Sequence, residues 1–134
     1  MEDGIQMIGA ILLAHLVGDY LLQTHHMAVE KTHRWLPAIS HGILYTLPFF
    51  FVTHSWIALL IICSTHIIID RFRLAKYVVF FKNLFAPKEH RPTWEDAKAT
   101  GYPSSTPAWM STWLMIIADN TIHLIINVWA VYTF

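Results

Sequence analysis

Three pairs of residues in this chain have the chemistry to bind a cation. His15 and Asp19, His66 and Asp70, and Asp119 and His123 are each spaced four apart. On an α-helix that spacing sets both side chains on one face. His41 adds a fourth imidazole, with Tyr45 four residues on; Gln23 follows Asp19 by four, and Asn127 follows His123 by four. Neutral imidazole with carboxylate is a ligand set for a divalent transition metal: Zn, Mn, Fe or Co. The candidate ligands are His15, Asp19, His41, His66, Asp70, Asp119 and His123. Seven exceed the needs of one tetrahedral zinc and would suit two ions about 3.5–4 Å apart. Gln23, Tyr45 and Asn127 would support those ligands from behind. A carboxylate left off the metal, Asp19 or Asp70, would serve as general base.

The elements that carry these residues are apolar. The chain has 134 residues, 55% of them AVILMFWYC and 13% DEKR, with a mean hydropathy of +0.44. Soluble domains average about 45–50% apolar and about 25% charged. Disorder is excluded, because so apolar a chain collapses. Nucleic acid is not an expected partner, because nine Lys+Arg are balanced by nine Asp+Glu. Membrane lipids are. Cys63 is the one cysteine, which rules out an intramolecular disulfide and a Cys-based metal site. The opening Met-Glu-Asp-Gly is acidic and no cleavage site follows, so the first apolar run is expected to stay as a span rather than be removed.

A spanning helix needs about 20 mainly apolar residues. Four segments qualify: 4–22, 37–53, 54–70 and 109–134. The expected fold is all-α, one domain over 1–134: an integral membrane bundle of four transmembrane helices. The second and third should form a tight hairpin at Thr53-His54-Ser55, with Pro48 kinking the second. The connection 71–108 should begin with an amphipathic helix over 71–85, continuing the third span or lying in the interface. Its remainder, 86–107, is polar and Pro-rich. Thr93-Trp-Glu-Asp96 there has the pattern of a helix N-cap. All nine Lys+Arg fall in the first and third connections. The positive-inside rule makes those cytoplasmic and puts both termini outside.

With about 1.5 Å of rise per residue, all seven candidate ligands fall at one depth, in the cytoplasmic half. Acids facing lipid near the bilayer centre would cost roughly 2.5–3.5 kcal/mol each, so they should face the bundle interior. Three carboxylates together repel each other, and a divalent cation removes that conflict. Two other readings use the same groups: a proton or ion path, and hydrogen bonds that only join helices. His25, His26, His33, His54 and His90 read as ordinary surface residues.

These residues resemble a known family. The run His15-Leu-Val-Gly-Asp19-Tyr-Leu-Leu-Gln23, with Lys31 after it, is similar to the opening motif of domain-of-unknown-function family 3307, small bacterial and phage membrane proteins. His41, His66-Ile-Ile-Ile-Asp70 and Asp119-Asn-Thr-Ile-His123 are similar to its later blocks. The resemblance implies a multi-pass protein of the bacterial inner membrane and carries no established activity. A looser similarity of pattern links the chain to YdjM-like membrane-bound metal-dependent hydrolases.

The expectation that follows is an intramembrane metal-dependent hydrolase acting on a phosphorylated or lipid-linked substrate at the cytoplasmic leaflet. Lys31, Arg71 and Arg73 would hold the anionic part of that substrate. The 86–107 loop would be a lid or a solvated linker. The alternatives are a proton or divalent-metal transporter, lined by a homo-oligomer, and a non-enzymatic bacterial or phage factor that acts on a membrane complex.

Overall fold

The computed structural model describes residues 2–134, with side chains from Asp3 onward. It is all helical, with no strand among the described residues. The chain forms two compact units: one made of the residues up to Phe72 together with His123–Phe134, the other of Arg73–Ile122.

The first unit holds α1 (Glu2–Leu16), α2 (His25–Glu30), α3 (Trp35–Thr46), α4 (Trp56–Phe72) and the C-terminal part of α7 (Ala108–Thr133). Two helices do not end where the α-helix ends. A π-helical turn, Val17–Leu21, follows α1, and a 3₁₀ turn, Leu47–Phe51, follows α3. Pro48 explains the second. Without an N–H it cannot continue the α ladder, and the chain tightens instead of kinking. Segment 37–53 is therefore not one α-helix.

Ile11, Ala14, Tyr45, Phe49, Ala58, Leu59, Ile62 and Ala130 form the apolar core. The α3–α4 hairpin turns through Thr53-His54-Ser55 as its polar residues suggest. Ser55 Oγ accepts from Ala58 N at 3.3 Å and so caps α4. Gly42 lets the two helices approach: a Cβ there would collide with the Ile67 side chain.

The short α2 falls where the sequence suggests only a connection. Thr24 caps it, accepting from Met27 N at 3.3 Å. The chain after α2 is clipped to the end of α4 by two neighbouring contacts. Lys31 Nζ donates to Asp70 Oδ2 at 2.7 Å, and the Arg71 guanidinium donates to the carbonyls of Thr32 (2.5 Å) and His33 (3.2 Å).

The second unit holds α5 (Ala75–Asn83), a 3₁₀ turn (Lys88–His90), α6 (Trp94–Ala97) and the first part of α7. Residues 73–74 break the chain between α4 and α5, and Arg73 takes a φ of 50°. The amphipathic segment is thus a separate helix and not a continuation of α4. Thr93 is the N-cap its sequence predicts, accepting from Asp96 N at 3.4 Å. Gly101, at φ 83°, lies against the α5 backbone, and Asn83 Nδ2 donates to its carbonyl at 2.9 Å.

Two helical stretches, Asp3–Leu21 and Ala108–Thr133, are long and apolar enough to cross a membrane. The second and third expected spans are shorter. α4 has 17 residues, about 25 Å of helix, against a hydrocarbon core of about 30 Å.

Candidate metal centre

Asp19 sits inside the π-helical turn, where the N–H of Leu22 reaches back to Val17 O at 3.0 Å. Such turns insert one extra residue into a helix and recur at functional sites. The Gln23 side chain donates to Asp19 O at 3.0 Å, taking up a carbonyl at the end of the distorted segment. Gly18 makes the turn possible beside α3. A Cβ there would fall 2.7 Å from Tyr45 Cδ2 and 2.8 Å from Tyr45 O.

Four side chains converge from three segments: Asp19 from the π turn, His41 from α3, and His66 and Asp70 from α4. All four are buried. His41 Nε2 lies 3.2 Å from Asp19 Oδ1 and 3.2 Å from Asp70 Oδ2. His66 Nε2 lies 3.5 Å from Asp19 Oδ1 and 3.1 Å from Asp70 Oδ2. The two Nε2 atoms are 3.0 Å apart. A tetrahedral ion with bonds of about 2.0–2.1 Å has ligand–ligand edges of roughly 3.3 Å. The five distances bracket that value, so the four atoms could hold one metal ion. The donor chemistry agrees. Two imidazole nitrogens and two carboxylate oxygens pointed at one another are mostly acceptors, and a cation satisfies them all.

The other oxygens of the same carboxylates face two further histidines. His15 Nδ1 lies 3.7 Å from Asp19 Oδ2, and His123 Nε2 lies 3.6 Å from Asp70 Oδ1. Both are ion-pair distances, and neither imidazole belongs to the group of four. Tyr45 ties the layer together. Its hydroxyl is 2.9 Å from His15 Nδ1 and accepts from Asn127 Nδ2 at 2.6 Å. Its ring stacks on His66 at 3.6 Å and fixes the imidazole plane. Tyr45→Phe is expected to cost about 1–3 kcal/mol, because it strands buried polar partners. Thermal unfolding in detergent measures it, and an unchanged melting temperature would remove Tyr45 from this role.

Asp119 lies one turn before His123 on α7, in the stretch that belongs to the second unit. Of the expected anion-holding residues, Lys31 contacts Asp70 directly, and its side chain is 17% exposed. Arg71 spends its donors on the two carbonyls and lies over the Trp35 ring at 5.2 Å. Arg73 is exposed. His25, His26, His33, His54 and His90 are all exposed. The buried Nδ1 atoms of His41 and His66 have no protein partner, so neither has the carboxylate or carbonyl that usually supports a metal-bound imidazole.

Two features escaped the sequence reading: the π turn, and Lys31 as a counter-ion inside the cluster. Gly18 beside Asp19 was the available hint for the first. Nothing local marks the second, since Lys31 and Asp70 are 39 residues apart.

Fold and site together define a helical protein with a buried imidazole–carboxylate cluster that could hold a metal ion and with two helices long enough to span a membrane. The chain belongs to the DUF3307 family, described as proteins of unknown function, whose model matches residues 7–134. That match takes in every residue of the cluster. No curated protein and no solved structure matches the chain.

Proposed function

We propose that this protein is an integral membrane, metal-dependent hydrolase acting on a phosphorylated or lipid-linked substrate at the cytoplasmic leaflet. The observation that carries the reading is the set of four buried ligand atoms, five of whose edges are 3.0–3.5 Å. An ion there, Zn or Mn/Fe by ligand type, would supply Lewis acidity toward a phosphoryl or acyl oxygen.

The chain's own groups have distinct parts. His41 and His66 are the neutral ligands. Asp70 Oδ2 is shared with Lys31, and Asp19 Oδ2, the oxygen outside the group of four, is the one placed to accept the proton of an attacking water. Lys31 lies at the partly exposed edge of the cluster, where a substrate anion can replace its contact with Asp70. His15, Tyr45, Asn127 and His123 hold the ligands in place.

The inverted distribution of polarity supports four spans. The buried set includes His15, Asp19, His41, His66, Asp70, His123 and Asn127, while Ile43, Phe51, Trp56, Ile57 and Leu60 are exposed on α3, its 3₁₀ turn and α4. A water-soluble protein would reverse that arrangement. The nine Lys+Arg favour cytoplasmic first and third connections with both termini outside.

Metal analysis of the full chain purified in detergent tests the reading, followed by phosphate release from dodecyl phosphate. One ion per chain is expected, with release lost on chelation and restored by the same ion. Metal content at background, unchanged in His66→Ala, would overturn it.

A further inference from the structure

We propose that α5 is a membrane-surface helix that docks on anionic lipid headgroups. Its two sides differ sharply. Ala75 and Val79 are fully buried, and Asn83 bonds to Gly101, so one face is covered by the chain's own 97–101 segment. Tyr77, Val78, Phe81, Leu84 and Phe85 are exposed, Phe81 by 62% and Phe85 by 76%. At about 100° per residue Tyr77, Val78 and Phe81 fall in one arc of roughly 100° facing away from the buried side, and Leu84 and Phe85 follow in the turn that ends α5. Trp94 stacks on Tyr77 at one edge of this stripe, 5.0 Å between ring centroids, and the rest of it stays exposed among the described residues; an exposed aromatic stripe is unstable in water.

Charge identifies what covers it. From Arg73 to Lys88 the chain carries Arg73, Lys76, Lys82 and Lys88 and no acid. Lys76 and Lys82 lie on the two opposite flanks of the stripe. Their positions are supported by rings: Lys76 Nζ is 5.1 Å from the centroid of Tyr77 and 5.7 Å from that of Trp94, and Lys82 Nζ is 5.2 Å from that of Tyr102. An apolar stripe bordered by lysines on both sides suits a helix lying at the headgroup level, stems in the acyl boundary and ammonium groups on phosphate. A second protein would have to offer a matching acidic rim around an apolar trough. An anionic leaflet offers both everywhere. Each basic residue near such a surface adds about fivefold to binding.

The inference rests on the membrane location proposed above and is independent of the metal. The test uses the full chain with Cys63→Ser and a single cysteine at Phe81, Phe85 or Glu89. Each variant carries an environment-sensitive fluorophore in vesicles of phosphatidylcholine, alone or with one third phosphatidylglycerol. Resistance to alkaline extraction from the same vesicles reports the spans separately. Labels at 81 and 85 are expected to be shielded several-fold from an aqueous quencher and reached by a headgroup-depth lipid quencher, while the label at 89 stays in water. Phosphatidylglycerol should deepen the shielding, and high salt or Lys76→Glu with Lys82→Glu should reverse that gain. Equal aqueous access at 81 and 89 overturns the proposal. So does shielding that ignores lipid charge and salt, which would mark a protein partner or a second copy.

Discussion

On the proposed metal site, His66→Ala is expected to lower the affinity of the protein for a divalent ion by well over 100-fold. His66 Nε2 contributes three of the five measured edges of the cluster: to His41, to Asp19 and to Asp70. Its removal leaves one imidazole between two carboxylates, and a three-ligand remnant with a cavity where the ring stacked on Tyr45. Losing a group that only supports a ligand typically costs 10–100-fold, and losing the ligand itself should cost more. His15→Ala is the matched comparison. His15 lies 3.7 Å from Asp19 Oδ2 and on the Tyr45 hydroxyl, outside the four, so its loss should fall within that 10–100-fold range. Competition against a chelator of known affinity measures both. Equal losses for the two variants would mean that the four-atom set is not the binding site.

The second large effect is expected from a residue with no side chain. In Gly18→Ala the added methyl would lie 2.7 Å from Tyr45 Cδ2, 2.8 Å from Tyr45 O and 3.0 Å from Tyr45 Cα. Two of those atoms are backbone and cannot turn away. The π turn must therefore back off from α3, carrying Asp19 away from His41. Overpacking of this kind costs about 1–3 kcal/mol, and the lost register should empty the metal site as well. Gly9 is the control on the same helix. A Cβ there meets nothing within 4 Å, so Gly9→Ala should raise stability by up to about 1 kcal/mol through helix propensity. Thermal melts and metal content of both variants decide it. A Gly18→Ala protein that melts and loads like the wild type would show that the close approach of the π turn to α3 is not needed.

Much of the site was legible in the sequence because helical periodicity reports which face a side chain is on. The His66/Asp70 and His15/Asp19 spacings predict same-face pairs, and those residues, with His41, His123, Tyr45 and Asn127, are all buried. Periodicity does not report ring tilt or a half-turn of register. It therefore could not separate Asp19, His41, His66 and Asp70 from the two histidines behind them. The π turn was hidden for a related reason. It lies where Gly18 packs against Tyr45, 27 positions along the chain, a contact that no local pattern of Val17–Leu21 announces. The 3₁₀ turn was half-visible: Pro48 signals that the ladder breaks but not which way. The short α2 was obscured by its length, since six residues hold too little periodicity to register. Lys31 read as a holder of the substrate's anionic part and not as a partner of Asp70, because that contact depends on the fold that brings the two together.

The spacing of four between imidazole and carboxylate also bears on how the chain is made. Helices that enter a bilayer do so before the bundle has assembled, so a lone carboxylate would meet lipid with its eventual partners still absent. Here Asp70 has His66 one turn away on α4, at 3.1 Å, and Asp19 has His15 on its own helical stretch. On the proposed four-span reading, each of these acids would carry a neighbour able to share a proton with it from the moment its segment leaves the insertion machinery. On that reading the pairing that contributes to the cluster would serve first as a travelling companion during biogenesis, and variants that lose either histidine should insert less efficiently even where the metal is irrelevant.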